Sequence, residues 1–236
     1  MKEPKYITYK TSQDIAEALI HWLDNWLKER DNQETHIAIS GGSTPKLLFS
    51  LLPHMEDIKL LENVHFWWVD ERCVASTDND SNYKYFKELF LDKVDLNRDH
   101  IHHVIGEANP DDEAQRYGNL IEETLPTVET WPIFDLVLLG MGDDGHTASI
   151  FPYQMEFMTS HEICEVATHP VSGQKRITLT GSVINRSKQV IFLVTGKNKK
   201  KIFNQIKNKD SASQNYPASH ITSQNEVLWF IDKEVE

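Results

Sequence analysis

The sequence predicts an α/β protein, a three-layer α/β/α sandwich built on a mostly parallel, Rossmann-like sheet. Two observations predict this fold. Short apolar runs rich in Val, Ile, Leu, Phe and Trp recur along the chain, and such runs are typical of strands that are buried on both faces. The stretches between them are long enough for crossover helices, which cover both faces of a parallel sheet.

The first predicted element is an amphipathic helix. Its apolar residues recur at helical spacing from Ile15 to Leu27, and Thr11 with Asp14 forms an N-terminal capping pattern. Crossover helices are predicted, for example, at Tyr83–Leu91 and Asp112–Thr124. The predicted strands are His36–Ile39, Val64–Val69, Phe134–Leu139, Gln189–Val194 and Val227–Ile231.

Composition bounds the class of protein. The 236 residues carry a formal net charge of -12 at pH 7, which argues against a nucleic-acid or anionic-membrane partner because repulsion would oppose approach. The two cysteines, Cys73 and Cys164, are too few for a secreted disulfide framework. No signal peptide or membrane-spanning run is evident. We therefore expect a soluble, cytoplasmic protein with a single domain over residues 1–236.

Polar segments follow four of the apolar runs. They are Ser40–Pro45, Asp70–Arg72, Gly140–Ser149 and Thr195–Lys199. In an open parallel sheet the carboxyl ends of the strands form one edge, and ligands bind in the crevice there. We therefore expect these four segments to meet at one site, although they lie far apart in sequence.

The first of these segments has the features of an anion-binding turn. Gly41 and Gly42 permit a positive φ and close approach of a ligand to the backbone. Ser43 or Thr44 is expected to cap the helix that follows, with Pro45 in its first turn. Free amides at a helix start favour phosphate. A capped glycine turn without a ligand remains the alternative.

The third segment contains a candidate for acid–base chemistry. In GMGDDGH the acidic pair Asp143–Asp144 lies inside the loop and His146 follows directly, a pattern that departs from a dinucleotide-binding fingerprint. An Asp two residues before a His on a glycine-rich loop suggests proton transfer. The alternative is a capping Asp and a structural His.

Three cations lie at or near the predicted sheet edge. Arg72, Arg176 and Lys199 are candidates for binding an anionic substrate, because a protein of net charge -12 must concentrate positive charge locally to bind one. Each could instead be solvated or paired. By contrast His100, His102 and His103 lack a spaced carboxylate partner, so we expect a surface loop there and not a metal site.

These motifs together resemble the 6-phosphogluconolactonase family. The resemblance extends from Ile39 to Ile221, and its most specific part is DGHTAS followed by FP. The motifs are ISGGSTP (Ile39–Pro45), VDER (Val69–Arg72) with SNY (Ser81–Tyr83), GMGDDGHTASIFP (Gly140–Pro152), RITLT (Arg176–Thr180), FLVTGKNK (Phe192–Lys199) and PASHI (Pro217–Ile221).

The resemblance implies the fold of the glucosamine-6-phosphate deaminase, ribose-5-phosphate isomerase and CoA transferase superfamily. It also implies hydrolysis of 6-phospho-D-glucono-1,5-lactone to 6-phospho-D-gluconate in the oxidative pentose phosphate pathway. We expect a sugar phosphate as the partner, no metal or organic cofactor, and a monomer or homodimer. Two departures from the family pattern affect the site: Asp143 stands where proline is common, and 172–175 replaces prolines before Arg176.

A mechanism follows as a hypothesis. His146 is the candidate general base that activates water, and Asp144 would orient its imidazole. The amides of Gly41, Gly42, Ser43 and Thr44 would hold the substrate phosphate with two cations, Arg176 and Lys199. Arg72 could bind phosphate or stabilise the developing oxyanion.

Two alternatives stay open. One is a glucosamine-6-phosphate deaminase or a related sugar-phosphate isomerase; the deaminase loop resembles DGHIAFNEP, and Phe151 stands where that loop has a carboxylate. The other is a non-catalytic sugar-phosphate-binding module.

Overall fold

A computed structural model describes residues 2–31 and 33–236. The strands are β1 (Lys5–Tyr9), β2 (Thr35–Ile39), β3 (Val64–Trp68), β4 (Asp70–Arg72), β5 (Ile101–His102), β6 (Thr127–Val128), β7 (Trp131–Pro132), β8 (Leu136–Leu139), β9 (Cys164–Thr168), β10 (Lys175–Leu179), β11 (Gln189–Val194) and β12 (Leu228–Asp232). The helices are α1 (Ser12–Glu29), α2 (Ser43–Leu51), α3 (Asn82–Leu89), α4 (Pro110–Thr124), α5 (Gly181–Ile184) and α6 (Lys200–Lys207). Short 3₁₀ helices include Pro152–Met158, Lys197–Lys199 and Pro217–His220.

Helix α1 begins as the sequence predicts. The Thr11 hydroxyl accepts from the Asp14 amide, and the Asp14 carboxylate accepts from the Thr11 amide, so the capping box is complete. The apolar face of the helix is buried, with Ile15 and Leu19 fully enclosed. The strands and helices that follow α1 confirm the predicted α/β fold.

The main sheet has seven strands in the order β1-β12-β11-β8-β2-β3-β5, and every pairing in it is parallel. From β2 the chain adds β3 and β5 on one side, whereas β8, β11 and β12 lie on the other. The strand order therefore changes direction between β2 and β8. Ligands of open α/β sheets bind outside the carboxyl ends of the strands at such a point.

A second sheet, absent from the sequence-based prediction, stands beside this point. It contains three antiparallel strands in the order β4-β10-β9. Strand β4 directly follows β3, so the chain leaves the parallel sheet and immediately enters the smaller one. In the β4–β10 ladder Arg72 lies opposite Arg176. The small sheet thus brings two distant arginines together at the edge of the large one.

The prediction of a surface loop over His100–His103 is wrong for His102. That residue lies in β5, and its ring stacks on the fully buried Trp67 with 3.9 Å between centroids. The short strand adds an edge to the parallel sheet, which local sequence did not indicate. Within the described ranges, no helix combines the length and apolar character needed to cross a bilayer.

Candidate active site

The four polar segments meet in one cleft of about 320 Å³ at the carboxyl ends of β2 and β8. All the predicted substrate-binding residues and the predicted base line it. They are Gly41, Gly42, Ser43, Thr44, Arg72, His146, Arg176 and Lys199. Asp144 contacts the cleft through His146. The expected convergence of these segments is therefore present in the structure, and it coincides with the change in strand direction.

The glycine turn differs from the prediction in how helix α2 begins. Neither Ser43 nor Thr44 caps the helix; the N-cap is Gly42, which has a φ of 120° and no side chain to satisfy the first-turn amides. The Thr44 hydroxyl instead contacts that of Thr195 at 3.1 Å. Uncapped amides facing a cleft suit an anion better than capped ones, so this error in prediction strengthens the anion-binding interpretation.

Close packing explains the other glycine of the turn. A Cβ at Gly41 would lie 1.8 Å from Oδ1 of Asn82, a distance at which the two groups cannot coexist. The Asn82 amide nitrogen donates to the backbone oxygen of Asp70 at 2.9 Å. Asn82 therefore links the glycine turn to the segment that follows β3.

His146 is held by Asp144. Its Nδ1 lies 2.6 Å from Asp144 Oδ1, and its backbone amide donates to the same oxygen at 3.0 Å. Partial burial alone would raise the pKa of Asp144, but the hydrogen bonds and charge of His146 outweigh it, and the pKa lies below its usual value. An ionised Asp144 accepts a hydrogen bond from Nδ1–H of His146. The unprotonated Nε2 of the imidazole is then free to accept a proton.

An aromatic ring packs beside this pair. Phe151 is fully buried and its ring centroid lies 4.9 Å from that of His146. The Arg176 guanidinium carbon lies 5.8 Å from the same ring. The deaminase motif has a carboxylate at this position. In this chain the side chain next to His146 is instead the apolar ring of Phe151.

Arg72 and Arg176 form an unusual pair. Like charges directly opposite each other in an antiparallel ladder are destabilising. Arg176 is also buried, with only 9% of the residue exposed. Arg72 donates to the Asp80 carbonyl at 2.6 Å, and Arg176 contacts the Ser149 hydroxyl at 3.4 Å. The Nε of each arginine is buried without a partner among the described residues. A bound anion would satisfy both the charge and the free donors.

Lys199 completes the cationic lining. It lies at the end of a short 3₁₀ helix after β11 and faces the cleft. Burial lowers the pKa of Lys199 below its usual value, while Asp143 and Asp232 act in the opposite direction. The lysine is therefore partly desolvated, and an anionic ligand would favour its charged form.

Sequence analysis missed the role of Glu71. This carboxylate is buried and accepts the backbone amides of Arg72, Asn82 and Tyr83, each at 2.8 Å. Burial raises the pKa of Glu71 to about 7, although these amides act to lower it. The Glu71 carboxylate holds the start of α3 against β4, and it thereby fixes the positions of Arg72 and Asn82. The SNY triplet that follows VDER was the available signal, because Ser81 also donates to Glu71 at 3.2 Å.

A second buried contact connects the small sheet to the His146 loop. The Ser149 hydroxyl donates to Asp70 Oδ2 at 2.6 Å, and the Ser149 amide donates to the Thr178 hydroxyl at 3.1 Å. Because Ser149 also contacts Arg176, one serine joins β4, β10 and the loop that carries His146. The site is thus a connected polar network and not a set of independent loops.

Comparison with known proteins identifies the family. The family model described as glucosamine-6-phosphate isomerases/6-phosphogluconolactonase matches residues 9–229. The chain belongs to this family.

Two relatives within it cover nearly the whole chain. A protein of Aggregatibacter actinomycetemcomitans named 6-phosphogluconolactonase is 38% identical over 233 residues, covering 97% of each chain. A protein of Haemophilus influenzae with the same name is 38% identical over 232 residues, again with 97% coverage of each. Among solved structures, 6-phosphogluconolactonase from Trypanosoma brucei is 28% identical with a TM-score of 0.87, covering 100% of this chain and 98% of that one.

Proposed function

We propose that this chain hydrolyses 6-phospho-D-glucono-1,5-lactone to 6-phospho-D-gluconate in the oxidative pentose phosphate pathway. The proposal is supported most strongly by one arrangement: the Asp144–His146 pair shares a cleft with two opposed arginines, of which Arg176 is buried. A base beside an anion site is what hydrolysis of a phosphorylated lactone requires. Relatives that match the whole chain carry the name of this activity.

The chemical step uses water and His146. The Nε2 of His146 takes a proton from water as its oxygen attacks the lactone carbonyl carbon C1. Asp144, hydrogen-bonded to Nδ1, stabilises the imidazolium that forms. The tetrahedral intermediate then expels the ring oxygen, which takes the proton back from the imidazolium. An activated ester of this kind needs no covalent nucleophile.

Substrate binding is assigned to the glycine turn and to the cationic side chains that line the cleft. The phosphate lies on the uncapped amides of Gly42, Ser43 and Thr44, with Arg176 and Lys199 as cationic partners. Arg72, opposite Arg176 in the ladder, lines the same cleft and is assigned to the phosphate or to the developing oxyanion.

The deaminase alternative is disfavoured by Phe151. An apolar, fully buried ring beside His146 supplies no carboxylate for acid–base steps on an amino sugar. The proposal further treats residues 1–236 as one catalytic domain that acts in the cytoplasm as a monomer or homodimer and uses no cofactor.

The test compares three substrates. The lactone is generated in place from glucose 6-phosphate, and released 6-phosphogluconate is measured with coupled 6-phosphogluconate dehydrogenase against a protein-free control. Unphosphorylated gluconolactone and glucosamine 6-phosphate are measured in parallel, by acid release and ammonia release. We expect acceleration on the phosphorylated lactone above all. Rates equal to the protein-free control, or faster ammonia release, would refute the proposal.

A further inference from the structure

A second cluster of titratable side chains lies at the opposite edge of the sheet from the cleft. His36 and His65 are paired near the amino ends of β2 and β3, and His100 directly precedes the neighbouring strand β5. The His65 ring centroid lies 4.9 Å from that of His36 and 4.0 Å from that of His100. Along β2, His36 is roughly 13 Å from the glycine turn. The cluster is therefore separate from the proposed active site.

A carboxylate completes the cluster. Glu34 Oε1 lies 3.2 Å from His65 Nε2 and 3.6 Å from His36 Nε2, and all three atoms lie within 4.8 Å of one another. A tetrahedral zinc ion with bonds of about 2.0 to 2.2 Å holds its ligands about 3.3 to 3.6 Å apart. The 3.6 Å distance from Glu34 to His36 falls within that spacing, and the 3.2 Å distance to His65 lies just below it. The Glu34 side chain is 62% exposed, so water can supply a fourth ligand.

The hydrogen bonding of His65 suits a ligand. Its ring is buried, with 9% of the residue exposed. Its Nδ1 lies 2.9 Å from His102 Nε2. With the proton of His65 on Nδ1 and donated to His102, the Nε2 lone pair points towards Glu34. Metal-binding histidines almost always donate their other ring N–H to a hydrogen-bond acceptor, and here His102 Nε2 is that acceptor.

His36 is the weaker ligand. The Trp67 Nε1–H donates to His36 Nδ1 at 3.2 Å. Coordination through Nε2 requires the proton to move to Nδ1, which breaks this hydrogen bond. Loss of a neutral hydrogen bond in a protein interior weakens binding by about tenfold or somewhat more. We therefore expect an affinity well below that of four-ligand structural zinc sites.

We propose that Glu34, His36 and His65 form a binding site for a divalent transition-metal ion, with Zn²⁺ as the ion that the donor set fits. Two imidazoles and one carboxylate favour zinc over magnesium or calcium, which prefer oxygen ligands. A bound ion would join the chain before β2 to the starts of β2 and β3, and so stabilise the amino ends of these two strands. The sequence predicted no metal site, since Glu34 and His65 are far apart along the chain.

The test uses chelator-treated full-length protein and ZnCl₂ in competition with a fluorescent zinc indicator. Glu34→Gln is the main variant, because an exposed isosteric change leaves the fold intact. Glu56→Gln is its matched control, since the Glu56 side chain is also exposed, at 86%. His65→Gln is the second variant, and His146→Ala reports any zinc held in the cleft. Co²⁺ absorption gives an independent readout of coordination geometry.

We expect one Zn²⁺ per chain, at least tenfold weaker binding in Glu34→Gln and His65→Gln, and unchanged binding in Glu56→Gln and His146→Ala. Zinc should raise the Tm of the wild type but not of Glu34→Gln, and lactone hydrolysis by Glu34→Gln should equal that of the wild type. Equal zinc affinity in Glu34→Gln and wild type would overturn the proposal. So would loss of binding in His146→Ala alone.

Discussion

The contact between Asp144 and His146 makes a quantitative prediction about two substitutions. Asp144 Oδ1 accepts both the His146 ring Nδ1–H, at 2.6 Å, and the His146 backbone amide, at 3.0 Å. Asp144→Asn keeps a carbonyl oxygen that can accept both donors, and therefore keeps the ring orientation while removing the charge. Asp144→Ala removes the acceptor altogether, so the ring loses both its orientation and its partner.

The expected magnitudes follow from the kind of hydrogen bond that is lost. A hydrogen bond to a charged group contributes about 1.5–3 kcal/mol and a neutral one about 0.5–1.5 kcal/mol. Asp144→Asn therefore loses about 1–1.5 kcal/mol of stabilisation of the imidazolium, which lowers kcat about five- to fifteenfold. Asp144→Ala loses the whole contact, about 1.5–3 kcal/mol, and kcat should fall about 13- to 160-fold. The Asp144 side chain is 39% exposed, which favours the smaller end of each range.

The assay is steady-state lactone hydrolysis with the protein-free rate subtracted, and thermal unfolding serves as the control for folding. KM should change little in either variant, since Asp144 contacts His146 and not the proposed phosphate site. A kcat for Asp144→Ala within twofold of the wild type would refute the reasoning, because the imidazole would then need no carboxylate partner.

Three further predictions follow from other parts of the structure. Arg176→Ala should raise KM for the phosphorylated lactone about ten- to a hundredfold and leave KM for unphosphorylated gluconolactone unchanged; equal effects on both substrates would remove Arg176 from the phosphate site. Gly41→Ala places a Cβ 1.8 Å from Asn82 Oδ1, so kcat/KM should fall at least tenfold, in line with more than about 1.4 kcal/mol; full activity would show that the turn can shift. Burial lowers the pKa of His65 and of His102 to about 4 each in the folded protein. Between pH 6.5 and 4 the unfolded chain therefore binds up to about two more protons than the folded chain, and the free energy of unfolding should decrease as pH falls through that range. Urea unfolding at pH 7, 6 and 5 measures this, and a His65→Gln variant with the same pH dependence as the wild type would contradict it.

Five of the seven strands of the main sheet were accessible from sequence because they are continuous apolar runs, whereas the two edge strands, β1 and β5, were not predicted. Gln189–Val194 is reproduced without change, and Val64–Val69 and Phe134–Leu139 differ from β3 and β8 by one or two residues at one end. The smaller sheet was not accessible. Strand β4 has only three residues, too few to show a period, and its pairing with β10 joins segments far apart in the chain. Pairing between such segments is set by tertiary packing, which local pattern does not encode.

The candidate site divides in the same way. Its loops could be predicted because each follows a buried parallel strand, and such strands end at one edge. The cap of α2 could not, because the helix begins at Ser43, which places Gly42, a residue without a side chain, at the N-cap. The SNY triplet hinted at Glu71 but did not specify its role, since its partners at Asn82 and Tyr83 are backbone amides that reach it only after the chain turns back into α3.

The most direct test of the central claim is the kcat of His146→Ala on 6-phosphogluconolactone, measured beside the wild type and a protein-free reaction. A positioned general base contributes about 10²- to 10⁴-fold, so kcat should fall by at least about a hundredfold while KM stays within a few fold of the wild type. A His146→Ala protein that folds normally and retains the wild-type kcat would contradict the account.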